Sequence, residues 1–158
     1  MGVTARDVMT TDFYTVRPET PISEAVKGFK EAALTRDRRA FGMMVFNEND
    51  ELVGMLSMYD ILVLMRPKHI HIWGEMDDID ISGFIHEILH RAKTIRVGDL
   101  MTTELTTVTP DTNLLLIVDL MTRKHIRRIP VVEGGRVIGL VRISDLFFHL
   151  MEEVVVSG

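Results

Sequence analysis

The chain carries one block twice. Asp7-Val8-Met9-Thr10-Thr11 recurs as Asp99-Leu100-Met101-Thr102-Thr103, and between Asp7–Thr20 and Asp99–Thr112 eight of fourteen positions are identical. Each copy runs on to a second shared block, Gly54-Met55-Leu56-Ser57-Met58-Tyr59-Asp60 and Gly139-Leu140-Val141-Arg142-Ile143-Ser144-Asp145, with the aspartate six residues after the glycine both times. A repeat of roughly 55 residues has a marginal core, so two copies are expected to pack together.

Local patterns give both copies the same element order. In the first, Thr20 is placed to cap a helix with Pro21 at its first position, and Ile22, Ala25, Val26, Phe29 and Ala33 share one face. Met43 to Phe46 and Leu52 to Leu56 flank Asn47-Glu48-Asn49-Asp50 as a hairpin, and a helix from Met58 to Met65 stops before Pro67. In the second, Pro110-Asp111-Thr112 opens a helix carrying Leu114, Ile117, Val118 and Met121. Ile129 to Val132 then turns through Gly134-Gly135 into Val137 to Val141, and a last helix runs from about Ser144 to Glu153. The expected class is α+β, two β-α-β-β-α motifs. The division by repeat is 1–66 for the first motif, 67–95 for an insertion and 96–158 for the second. The insertion reads as a strand-like arm, His69 to Trp73, followed by a helix from Ile81 to Ala92.

Composition narrows the function. At 46% hydrophobic residues the chain has material for a core, and without cysteine it has no disulfide, thiol nucleophile or thiolate metal site. No run approaches the ~20 apolar residues that span a bilayer, so a cytoplasmic protein with no membrane contact is expected. A net charge of -5 makes broad electrostatic binding to nucleic acid unfavourable, while a local basic patch can still hold a small anion.

The two copies resemble the CBS (cystathionine beta-synthase) domain family, whose motifs pair through their sheets with pseudo-twofold symmetry as a Bateman module. The resemblance rests on Val8-Met9-Thr10 with Leu100-Met101-Thr102, Thr15-Val16-Arg17-Pro18 with Thr107-Val108-Thr109-Pro110, Arg128-Ile129-Pro130-Val131-Val132, and both glycine-to-aspartate blocks. It implies a non-enzymatic, stand-alone regulatory module that binds an adenine nucleotide (AMP, ADP or ATP) or an adenosyl compound such as S-adenosylmethionine in clefts between the motifs. It also implies a homodimer formed through the helices, with Ile61-Leu62-Leu64-Met65 and Leu146-Phe147-Leu150-Met151 as the faces, read by a further protein of unknown identity. By the same resemblance Asp60 and Asp145 hold ribose hydroxyls, and Ser57 meets phosphate near backbone N–H groups. Tyr14, Thr15, Val16, Thr107 and Val108 wall the purine beside Pro130, and Arg127 and Arg128 face phosphates.

The copies differ where the resemblance is most chemical. Arg142 stands where the first copy has Ser57, and Arg127-Arg128 stand where it has Phe41-Gly42. Two unequal clefts follow, the second one cationic; Arg142 either binds phosphate by charge or fills its cleft by bulk. Asp60 and Asp145 also suit plain helix caps, and Arg127 or Arg128 also suits a pair with Glu133. A structural module with empty or self-filled clefts is the alternative that Arg142 and Phe41 favour.

The insertion offers a third reading. His86-Glu87-Ile88-Leu89-His90 has the form of a zinc-peptidase helix, but Lys93 and Arg96 stand where the extended motif needs glycine and a third histidine. A zinc or nickel site built from His86 and His90 with His69 or His71 would instead make a metal-responsive sensor.

Overall fold

A computed structural model describes residues 2–35, 42–65 and 81–157. Phe41, His69, His71 and the arm from His69 to Trp73 lie outside the described residues. The chain forms two compact units: a central one, Tyr14–Thr103, and a terminal one, Met1–Phe13 with Glu104–Gly158.

In the central unit β1 (Thr15–Val16) runs parallel to β2 (Gly42–Phe46), which pairs antiparallel with β3 (Leu52–Ser57) in the order β1-β2-β3. The β2–β3 turn is made by Asn47, whose Oδ1 accepts from the N–H groups of Asn49 (2.9 Å) and Glu51 (3.0 Å). Helix α2 (Ile22–Thr35) buries Ile22, Ala25, Phe29 and Ala32. Val26 and Ala33, expected on that face, are exposed, because the stripe follows i, i+3, i+7, i+10 along the opposite edge. The helix begins after Pro21 rather than at it. The Pro21 carbonyl opens the helical ladder by accepting from the Ala25 N–H (3.3 Å), while the Thr20 carbonyl accepts from the Val97 N–H (2.8 Å). Helix α3 (Met58–Met65) adds Ile61 and Leu64 to a core with Met43, Val45, Leu56 and Val97. Helices α4 (Ile81–Thr94) and α5 (Val97–Leu100) complete the unit.

The terminal unit repeats the plan. Val108 makes a single parallel bridge to Val131 in place of a first strand. Helix α6 (Leu114–Lys124) is capped by Asn113, whose side chain accepts from the Leu115 N–H at 2.8 Å. Hairpin β4 (Arg128–Glu133) and β5 (Arg136–Arg142) turns at Gly134 and Gly135, both at positive φ (58° and 80°), and leads into α7 (Ile143–Ser157). Ile117, Met121, Ile129, Val131, Val141 and Leu146 form the core.

The Asp-x-Met-Thr block closes each unit, and it comes from the other repeat. In the terminal unit, Asp7 Oδ2 accepts from the Thr4 N–H (2.8 Å) and so caps α1 (Ala5–Val8), a single turn. Met9 lies over Gly139, and Thr10 exchanges two 2.9 Å hydrogen bonds with Leu140 on β5. In the central unit, Asp99 takes the Arg96 N–H (3.0 Å), Met101 lies over Gly54, and Thr102 exchanges bonds of 2.8 and 3.0 Å with Met55 on β3. A Cβ at Gly54 or Gly139 would come within 2.6 or 2.5 Å of the methionine sulfur, which is why both positions are glycine. The repeat thus encodes a packing device at this block: a cap, a wedge and a strand partner.

Ile61, Leu64 and Leu146, expected on an outer face, are core residues, because they point back at the sheets. Among the described residues, the apolar side chains exposed on these helices include Met58, Tyr59, Leu62 and Val63 on α3 and Ile143, Phe147, Phe148, Met151 and Val155 on α7. No helix among the described residues is long and apolar enough to cross a membrane.

Candidate functional site

Each unit gathers its polar candidates at one end of its sheet. In the central unit the Tyr14 carbonyl accepts from the Met44 N–H (2.9 Å), while Gly42, two residues earlier on β2, pairs with Ser57 at the end of β3. The start of β1, the start of β2 and the end of β3 therefore meet where α3 begins. There Ser57 and Asp60 form a reciprocal cap: Asp60 Oδ2 accepts from the Ser57 N–H (2.9 Å) and Oγ (3.0 Å), and Ser57 Oγ accepts from the Asp60 N–H (3.2 Å). All of these bonds to the carboxylate fall on one oxygen. Thr15 is exposed and Val16 half-buried beside the core. The Tyr14 hydroxyl is shielded and has no hydrogen-bond partner among the described residues.

The terminal unit builds the same corner with different chemistry. The Val108 N–H donates to the Pro130 carbonyl (3.1 Å), which sets Thr107 beside the start of β4, and the Pro130 ring is fully buried, so Pro130 acts here through its backbone. Arg128 stands opposite Arg142, the register that Gly42 and Ser57 occupy in the central unit. Next to that pair the Ile143 N–H donates to the Arg127 carbonyl (2.8 Å). Arg142 Nε donates to Asp145 Oδ2 at 2.7 Å, with side chains only 16% and 21% exposed. Arg127 is exposed, Arg128 half-buried, and Glu133, the expected partner of one of them, pairs with Arg6 at 3.3 Å. Arg127, Arg128 and Arg142 thus gather near Asp145 at this corner, where the central corner has Gly42, Ser57 and Asp60.

Two features escaped the sequence reading. The Arg142–Asp145 pair has a legible signal, opposite charges at i and i+3. The orphaned Tyr14 hydroxyl has none, since its burial depends on tertiary packing.

His86 and His90 stand one turn apart on α4, both exposed, as is Glu87. Among the described residues no group of three or more histidine, cysteine, aspartate or glutamate side chains is placed to hold a metal ion.

The family model described as CBS domain matches residues 5–67 and 97–152. The chain is similar to the Arabidopsis thaliana protein "CBS domain-containing protein CBSX3, mitochondrial", 44% identical over 64 residues (39% of this chain, 31% of the relative). It is also similar to "CBS domain-containing protein CBSX2, chloroplastic" of the same plant, 28% identical over 149 residues (89% of this chain, 60% of the relative). The chain thus spans about a third to three-fifths of the length of these curated relatives. Among solved structures, that of CBSX2 in complex with AMP superposes with a TM-score of 0.70 at 26% identity, covering 96% of this chain and 98% of that one.

Proposed function

This chain belongs to the CBS domain family, and on that footing we propose that it is a regulatory sensor that binds adenine nucleotides at the corner where the closing helix of each unit begins. The observation that carries the reading is the aspartate at the same place in both units, Asp60 in the first turn of α3 and Asp145 in the first turn of α7. An ionised carboxylate there accepts both hydroxyls of a ribose, and the neighbouring backbone and strand residues offer a purine an apolar wall and hydrogen-bonding groups. The CBSX2 complex with AMP supports this ligand class. At the central corner Asp60 would take the ribose and Ser57 the phosphate, with Tyr14, Thr15 and Val16 along the base. At the terminal corner Asp145 would take the ribose, with Thr107 and Val108 along the base and Arg127, Arg128 and Arg142 supplying charge for phosphate.

Signalling needs a state that the ligand binds better than another. A second copy of the chain is the simplest reader: Leu62 on α3 and Phe147 on α7 are 61% and 54% exposed, and such side chains suit a self-complementary interface.

Calorimetric titration of AMP, ADP, ATP and S-adenosylmethionine into metal-stripped protein tests the reading. Saturable binding weakened at least about tenfold by Asp60→Ala or Asp145→Ala supports it, since hydrogen bonds to a charged group contribute about 1.5–3 kcal/mol each. No saturable binding by any of the four overturns it in favour of a purely structural module.

A further inference from the structure

We propose that His86 and His90 on α4 form half of a zinc site that a second copy of the chain completes. Imidazoles four residues apart on a helix lie one above the other on the same face, with Cβ atoms about 5–6 Å apart, and can grip one ion whose bonds to nitrogen are about 2.0–2.1 Å. Both rings are exposed on a 14-residue helix, and neither takes a hydrogen bond or ion pair among the described residues. Glu87 follows His86 in the chain but stands off their face, whereas Gly83, one turn before His86, lies on it. Borderline divalent transition ions, zinc among them, are the class that imidazole ligands suit.

The pair supplies two ligands, whereas a closed zinc site takes four. Among the described residues no third histidine, aspartate or glutamate is placed to join it. A twofold axis between His86 and His90 brings the same pair from a second copy and closes a tetrahedral site of four imidazoles. The surroundings fit another helix. Ile85 and Leu89, each the residue before a histidine, are 49% and 56% exposed and form an apolar border along one edge of the histidine face. Lys93 shares that face about one turn past His90, and in an antiparallel pair it falls opposite the bare backbone of Gly83, where its stem can lie flat and its charge reach water. One helix face offers less than the roughly 1,000 Å² that a lasting interface buries, so association at α4 follows the ion.

The test uses the whole chain carrying Leu62→Glu and Phe147→Glu, which removes the apolar faces of α3 and α7 as a second route of association, with the unmodified chain run in parallel. Zinc is titrated into metal-stripped protein by calorimetry while sedimentation follows the mass, before and after His86→Gln or His90→Gln. Both histidines are exposed, so the variants should fold, and a cooperative melt verifies each protein. The shared site predicts about one zinc per two chains, a doubling of mass that a chelator reverses, and in either variant the loss of that doubling with zinc binding weakened at least about tenfold. Zinc binding and doubling that persist in both variants would put the ion on other ligands and overturn the site. Saturation at about one zinc per chain without a change in mass would overturn the sharing between copies, and absence of zinc binding would overturn the site outright.

Discussion

Gly139→Ala is the sharpest test of how the two repeats close their units. The added methyl carbon would lie 2.5 Å from Met9 Sδ, 2.9 Å from Met9 Cγ and 3.1 Å from the Thr10 carbonyl oxygen. Unstrained contacts between carbon atoms are about 3.5–4.0 Å. The thioether can swing away, but the Thr10 carbonyl accepts the Leu140 N–H at 2.9 Å, and moving it stretches that bond and its reciprocal. Overpacking of this kind destabilises by about 1–3 kcal/mol. With a urea slope of ~2 kcal/mol per molar, a loss near 2 kcal/mol lowers the unfolding midpoint by about 1 M. Truncating the wedge isolates the cause: Met9→Ala should be destabilising alone, yet the double variant should be at least about 1 kcal/mol more stable than the sum of the single losses predicts. A midpoint for Gly139→Ala within about 0.2 M of the parent, or strict additivity in the double variant, would refute the wedge.

Three further outcomes follow from individual contacts. Asn113→Ala removes the side-chain oxygen that holds the Leu115 N–H and should destabilise by about 1 kcal/mol, with Asn113→Asp retaining most of the cap; equal losses in both would count against it, read by thermal melts. Tyr14→Phe removes a shielded hydroxyl that has no partner among the described residues, so stability should hold or rise by up to about 1 kcal/mol, and a loss above about 1 kcal/mol would refute an unbonded hydroxyl. Leu62→Glu together with Phe147→Glu places charges on the exposed apolar faces of α3 and α7 and should shift sedimentation toward monomer with melting unchanged; an unaltered sedimentation profile would rule out those faces as the contact between copies.

Much of the local architecture is legible without coordinates because its determinants are local. The spacing of Leu114, Ile117 and Met121 marks the buried stripe of α6. Asn47 to Asp50 and Gly134-Gly135 mark hairpin turns by side-chain bonding and by positive φ. Helix α3 runs over the expected residues, Met58–Met65. Less legible is which apolar helical residue faces inward when several are adjacent: Val26 and Ala33 match the period nearly as well as Ala32, and only the sheet beneath α2 chooses among them.

The doubled block, the β-α-β-β-α order and the aspartate six residues past each glycine were determined by the sequence alone, through periodicity, capping and turn chemistry that act within a few residues. Only the tertiary structure decided which body each block joins. Met9-Thr10 and Met101-Thr102 are nearly interchangeable, and either glycine would take either wedge; pairing Thr10 with Leu140 and Thr102 with Met55 is a choice among long-range contacts of equal local merit. Arg142 was open in the same way, since its sequence suits a free phosphate ligand and a partner of Asp145 alike. Folding encloses both charges in one corner, with Arg142 Nε 2.7 Å from Asp145 Oδ2, a proximity that depends on where β5 ends and α7 begins.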